Sequence, residues 1–319
     1  LTFSTTIGCI VKSKLIPVFI DVGFNDYCID VQAIEKNITS KTVAIVAPNL
    51  MGNICNWKKI SEIAKKHNLK VIEDSADTIG GTLNGKLSGS YCDWTITSFY
   101  GSHIINCAGN GGMLCMNDEK MINDAKLLRS WGRSSSIFDE KSEAIENRFN
   151  VEVDGIPYDA KFIFEKIGYN LEGSEIGAAF GLAQLDDLDD NIRIRQKNFQ
   201  KQTNFFNNYK DFIVTPKQTK NSESAWLAYP IIINEESPFS RRDFQIYLEK
   251  RNIQTRTVFS GNITRQPGFK NIEMKVSSDG LHNADNIMKG GVLLACHHGL
   301  TNEMLSHMHE VCEEFFKKY

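Results

Sequence analysis

Val71-Ile72-Glu73-Asp74-Ser75-Ala76-Asp77 is a short apolar run that ends in two adjacent carboxylates, with a third acid three residues on. The β-branched pair reads as a buried strand, and the acids mark where that strand leaves the core. Similar runs lie on either side of it, at 15–22, 43–47, 95–99 and 113–116. Between two of them, residues 57–67 place Trp57, Ile60, Ile63 and Ala64 on one helical face. Alternating strand and helix predicts an α/β fold, a mostly parallel sheet with helices on both faces. Ligands of such sheets sit beyond the carboxyl ends of the strands. Glu73-Asp74 falls there, as does Thr97-Ser98-Phe99-Tyr100-Gly101-Ser102-His103 after the next strand.

The second half changes character. Residues 134–160 are polar, mixed in charge and contain Asp154-Gly155-Ile156-Pro157, which reads as an excursion over the site. A long helix is expected from Ser174 to about Phe205, carrying Ile176, Phe180, Ala183 and Leu188. After it come a strand at 226–233, a helix at 241–251, a strand at 253–258 and a terminal helix aligning Leu305, Met308, Cys312 and Phe315. These make a smaller α+β domain. The expected division is a large domain at 1–190 and a small C-terminal domain at 191–319.

Composition narrows the function. With 319 residues, 41% of them hydrophobic, the chain can bury a large core, and its net charge of −3 offers no polycationic surface for nucleic acid. No apolar run reaches membrane-spanning length, and Leu1-Thr2-Phe3-Ser4-Thr5-Thr6 lacks the basic start and apolar core of a signal peptide. A cytoplasmic protein with neither nucleic acid nor membrane as partner is expected. The eight cysteines form no C-x-C or C-x-x-C pair, which argues against zinc and against an iron–sulfur cluster. His297 and His298 are adjacent, so their side chains diverge, and no carboxylate neighbours them; no metal site is expected.

An Asp at a strand end is by itself most often a helix cap, and a lone His implies no catalysis. Their setting changes that reading. The segments at 72–77 and 97–103 resemble the cofactor site of the DegT/DnrJ/EryC1/StrS family, vitamin-B6-dependent sugar aminotransferases of fold type I. The resemblance implies a fold-type I, PLP-dependent transferase-like architecture. It also implies that Asp74 holds the proton on the pyridine nitrogen of pyridoxal phosphate, that Ser98 binds its phosphate and that Phe3 stacks on its ring. Family members carry a lysine, linked covalently to the cofactor, where this chain has His103. The minority with that exchange are 3-dehydratases of nucleotide-linked 4-keto-6-deoxyhexoses. Asp77, where aminotransferases of the family have Gln, departs in the same direction.

Further stretches extend the likeness. Gly109-Asn110-Gly111-Gly112 resembles the family's Gly-Glu-Gly-Gly, with Asn110 in place of Glu. Ile167-Gly168-Tyr169-Asn170-Leu171 matches a segment whose Asn crosses a homodimer interface to the partner's cofactor phosphate, so Asn170 takes that role. The resemblance makes Arg133 and Arg265 candidates for diphosphate contact, since a guanidinium offers paired donors. Trp226 reads as substrate-facing or, equally, as a buried structural residue. The family's Gly-Ser phosphate turn and the helix before it correspond to nothing in the sequence, so an N-terminally incomplete chain is expected.

What the resemblance implies for chemistry follows from what imidazole cannot do. Without the lysine link, the resting cofactor is pyridoxamine phosphate, whose amine condenses with the sugar's C4 ketone. His103, with an ordinary pKa of about 6.5, removes a proton, and the C3 hydroxyl leaves. The family closes this cycle either by reduction through an iron–sulfur centre or by regeneration of the amine from L-glutamate. The scattered cysteines favour glutamate, and no iron–sulfur cluster is expected. Two alternatives stand beside the dehydratase. One is a sugar-nucleotide aminotransferase recruiting another lysine, such as Lys86, and the other is a degenerate, non-catalytic homologue.

Overall fold

The computed structural model describes residues 1–139, 141 and 144–319. Its central sheet runs in the order Ala44–Pro48, Lys70–Asp74, Trp94–Ser98 and Gly112–Cys115. The first three strands are parallel and the last is antiparallel. The register sets Pro48 opposite Asp74 and Asp74 opposite Ile96, so the carboxyl ends of the parallel strands meet at one edge. The helix Trp57–Lys66 starts under a side-chain cap, Asn56 accepting from the Lys59 N–H at 3.3 Å, and places Lys65 and Lys66 in its last turn. It buries Trp57, Ile60 and Ala64 against Ile45, Ala47 and Val71 of the sheet.

The smaller sheet is antiparallel throughout, in the order Ile213–Val214, Ala228–Ile233, Gly291–Ala295 and Arg256–Thr257. The helices Arg241–Glu249, His282–Gly290 and Asn302–Phe316 accompany it, the first opened by a reciprocal Ser240/Asp243 capping box. Its core joins Phe206, Trp226, Tyr229, Phe244, Leu294 and Phe315 with Val22, Tyr27, Leu50 and Met51 from the first part of the chain. Apolar packing therefore continues across the expected division, and the helix Leu188–Phe206 runs through residue 190.

Several expectations need correction. The long helix is two, Glu175–Leu185 and Leu188–Phe206, parted at Asp186-Asp187. Aspartate is a poor interior residue, whereas Asp189 and Asp190 suit the first turn of a new helix. Of residues 15–22 only Val18–Phe19 forms a strand, pairing with Lys275–Val276, while Leu15 and Ile16 are about half exposed. The helix Ser4–Lys12 precedes it and ends at a turn where Lys14 takes φ 60°. The strand expected as buried at 113–116 spans Gly112–Cys115 and is exposed along its length. The helix His282–Gly290 and the strand after it were missed, although Gly291-Val292-Leu293-Leu294-Ala295 is an apolar run of strand length. Within 134–160, a hairpin pairs Val151–Val153 with Ile156–Tyr158, turning at Asp154 and Gly155, both at positive φ.

Candidate active site

Asp74 ends its strand almost wholly buried, with both carboxylate oxygens engaged. The Thr6 hydroxyl donates to Oδ2 at 2.7 Å, and the Ala76 N–H donates to Oδ1 at 3.1 Å. Successive strand residues face opposite ways, and Glu73 points to the other side, where it is fully buried. There it accepts from Asn49 Nδ2 at 2.9 Å, Ser75 Oγ at 2.6 Å, the Gly89 N–H at 2.9 Å and Cys92 Sγ at 3.2 Å, and also from Ser88 Oγ. Asn49 Oδ1 in turn accepts from the Cys55 N–H and Trp57 Nε1, each at 2.8 Å. Glu73 thus fixes the strand end from below while Asp74 faces the site.

Asp77 lies in the turn that follows. Its Oδ2 accepts from the Met51 N–H at 2.8 Å, and Met51 is fully buried at φ 58°. Burial pushes the Asp77 carboxyl up to about 7, helped by the negative charge of Asp74 and only partly countered by the Met51 N–H. Its Oδ1 faces His103 Nε2 at 3.7 Å. The His103 side chain is 15% exposed, and its Nδ1 is buried without a hydrogen-bond partner among the described residues. Burial lowers the imidazole's pKa against the opposing influence of the Ser98 backbone and, less, of the charge of Asp74. A short turn holds the ring, with the His103 N–H donating to the Tyr100 carbonyl at 2.9 Å and the Tyr100 ring edge-on at 6.1 Å. Ser98 closes the neighbouring strand, its hydroxyl accepting from the Tyr100 N–H at 3.2 Å. The fold therefore gathers Asp74, Asp77, Ser98 and His103 at one edge of the sheet.

The glycine stretch folds back on this turn. The Phe99 N–H donates to the Gly111 carbonyl at 3.0 Å, and Gly111 takes φ 129°, a conformation that side chains rarely adopt. Phe3 caps the helix that carries Thr6. It is 55% exposed and stands edge-on to Phe259 at 6.2 Å.

The other named residues lie elsewhere. Asn170 is exposed, in a backbone bridge to Ser130. Arg133 lies over the Trp131 ring at 5.4 Å, with its Nε buried and without a partner among the described residues. Arg265 turns its fork to Asp285, Nη2 donating at 2.6 Å and Nε to the other oxygen, so those donors are already engaged. Trp226 must be corrected as a substrate-facing residue. It is fully buried, stacked on Phe199 at 4.5 Å, with Nε1 donating to Gln218 at 3.0 Å. Lys86 is exposed, its ammonium over the Tyr91 ring at 5.4 Å, away from the contacts of Asp74, Asp77 and His103. Among the described residues no three His, Cys, Asp or Glu side chains gather as a metal site would require. Likewise, no helix is long and apolar enough to cross a membrane.

Sequence reading missed Thr6, Asn49 and Met51. No motif marks them, because their roles arise from contacts between segments distant in the chain.

Known proteins resemble this chain in sequence and fold. The DegT/DnrJ/EryC1/StrS aminotransferase family matches residues 1–315. The lipopolysaccharide biosynthesis protein RfbH of Salmonella typhimurium is 33% identical over 98% of this chain and 72% of its own length. A dTDP-4-dehydro-2,6-dideoxy-D-glucose 3-dehydratase of Saccharopolyspora spinosa is 32% identical over 99% of this chain and 68% of its own. The solved structure of E. coli GDP-4-keto-6-deoxy-D-mannose-3-dehydratase with bound hydrated PLP superposes with a TM-score of 0.85, at 25% identity. It covers 98% of this chain and 77% of that one. GDP-perosamine synthases match as well.

Proposed function

We propose, since the chain belongs to the DegT/DnrJ/EryC1/StrS aminotransferase family, that it removes the C3 oxygen of a nucleotide-linked 4-keto-6-deoxyhexose with pyridoxamine phosphate as cofactor. The observation that carries this reading is His103, a mostly buried imidazole beside Asp77 at the sheet edge where Asp74 ends its strand. Dehydratases among the relatives support it.

The residues present fit the cofactor. Asp74 is an almost fully buried carboxylate fixed at both oxygens, and the buried Nδ1 of His103 has no partner among the described residues. When bound, pyridoxamine phosphate supplies an amine for the sugar's C4 ketone and a ring that accepts electrons.

This chain's residues do the rest. Asp74 keeps the proton on the ring nitrogen, and Thr6 holds the carboxylate in place for it. Ser98 donates to the phosphate, as does Asn170 of a second copy in a homodimer. Phe3 lies against the ring face. His103, its pKa lowered by burial, is a neutral base at pH 7, so it removes a proton from the cofactor's methylene carbon and returns one to the departing C3 hydroxyl. An imidazole forms no lasting covalent link to the cofactor, so the bound group would rest as the amine, and L-glutamate would supply the amino group and electron pair needed to return it to that form. Arg133 and Arg265 are the diphosphate candidates, Arg265 after leaving Asp285. The reaction is placed in the cytoplasm.

Borohydride treatment of the protein loaded with pyridoxal phosphate tests the missing lysine link. Peptide mass spectrometry is expected to find no phosphopyridoxyl lysine. An adduct on Lys86 or another lysine would favour the aminotransferase.

A further inference from the structure

We propose that Arg195 and Asn191 are positioning residues that hold His103 against Asp77 by closing a ring of contacts, which are hydrogen bonds apart from the 3.7 Å approach of the pair itself. The functional meaning of this ring rests on the reading of His103 as the group that moves the proton.

The helix Leu188–Phe206 buries a polar stripe of Asn191, Arg195, Asn198 and Gln202. Asn198 and Gln202 donate to the carbonyls of His297 and Ala295 and so tie the helix to the small sheet alone. The other two reach further. Arg195 is 2% exposed, and among the described residues no carboxylate pairs with it. Its Nε donates to Asn191 Oδ1 at 2.7 Å, and its Nη1 to the carbonyls of Trp226 and Leu227 at 3.3 and 3.2 Å. Burial lowers the guanidinium to about 10, which still leaves a cation at neutral pH. A buried cation without a counter-charge is costly, and an apolar residue of similar volume would fill the space without that cost.

What the guanidinium provides is geometry. Asn191 Nδ2 donates to the carbonyl of Ile104, the residue after His103, at 2.9 Å. On the other side, the Leu227 N–H donates to the Met51 carbonyl at 2.8 Å, and the Met51 N–H to Asp77 Oδ2 at 2.8 Å. The path therefore runs from Ile104 through Asn191, Arg195, Leu227 and Met51 to Asp77. It closes across the 3.7 Å gap from Asp77 Oδ1 to His103 Nε2. This side-chain bridge reaches both members of the pair, adding to the turn that holds His103 on the Tyr100 carbonyl, and an error of about 1 Å in such a placement costs roughly a hundredfold in rate.

The test uses the full chain without substrate. Asn191→Ala and Arg195→Met break the ring, Arg195→Lys keeps the charge but not the fork, and Gln202→Leu cuts a comparable contact outside the ring. The His103 ring protons are followed by NMR titration, with assignment by His103→Asn, and amide hydrogen exchange is read at Met51 and Leu227. In Asn191→Ala and Arg195→Met the His103 midpoint should rise toward about 6.5, and both amides should exchange at least ~10-fold faster. Arg195→Lys should fall between these and the parent, and Gln202→Leu should alter neither reading. With substrate, the ring variants should lose kcat at unchanged KM. Parent-like titration and exchange in a folded Asn191→Ala variant would overturn the proposal, and that variant decides if Arg195→Met does not fold. A parent enzyme that aminates its sugar would contradict the dehydratase reading but leave these substrate-free results standing.

Discussion

Asp77 Oδ1 and His103 Nε2 lie 3.7 Å apart, and at neutral pH burial disfavours the charged form of each. The Asp77 carboxyl, raised from 3.8 to about 7, binds a proton that the unfolded chain releases near pH 4. Its stabilising contribution is complete below pH 4 and is lost as pH rises through 7. His103, with a lowered pKa, acts in the opposite sense, its contribution being lost as pH falls below about 6.5. Asp77→Asn, whose amide oxygen can still accept from Met51, should therefore match the parent at pH 4 and exceed it at pH 8, by on the order of a few kcal/mol. Denaturant titrations at the two pH values check this, and equal differences at both would contradict it.

Glu73 is fully buried among five side-chain and backbone donors. Glu73→Gln turns an amide NH₂ toward groups that are themselves donors. A loss of about 3 kcal/mol in unfolding free energy is expected, with faster amide exchange at Gly89. An unchanged denaturation midpoint would show that the loop at 88–92 is held by other contacts.

The large domain was legible because its parallel strands are short runs of strand-forming residues around a helical stripe, although Trp94–Ser98 is only partly buried, and because the segments at 72–77 and 97–103 are contiguous. The small domain was harder to read. Arg256–Thr257 shows little strand pattern, and its partner Gly291–Ala295 lies far along the chain, after a helix whose N-cap residue Leu281 gives no side-chain cap. Asp74, Asp77, Ser98 and His103, which meet at one sheet edge, could be named as candidates because each belongs to a motif. Thr6 and Met51 were not, since a hydroxyl on a helix and a backbone N–H acquire meaning only when distant segments meet. Trp226 was ambiguous for a related reason. The Ser224–Pro230 stretch looks the same whether the indole faces a ligand or, as here, Phe199.

Trp226→Phe should separate those roles. It removes the Nε1 bond to Gln218 and part of the stack on Phe199, so a loss of about 1–3 kcal/mol in stability is expected. KM for the sugar nucleotide should not change. A raised KM at unchanged stability would return Trp226 to the substrate.

The proposed homodimer predicts complementation. Asn170→Ala and His103→Asn should each lose most activity, the first through weakened cofactor retention and the second through the missing proton transfer. Mixed dimers should regain one intact site of the two, because each isologous contact is used twice. Proven mixed dimers without activity would place Asn170 and His103 in the same site from one chain.

The central claim, that His103 makes this site remove oxygen and not add nitrogen, is tested most directly by the identity of the product. Purified protein is incubated with pyridoxamine phosphate, L-glutamate and CDP-, GDP- and dTDP-linked 4-keto-6-deoxyhexoses in turn, and the sugars are read by mass spectrometry. A sugar that has lost its C3 oxygen is expected. His103→Asn should slow its formation by ~10²–10⁴, and His103→Lys should shift the product toward a 4-amino sugar. A 4-amino sugar with its C3 hydroxyl intact, formed by the parent protein, would show instead that the site transfers an amino group.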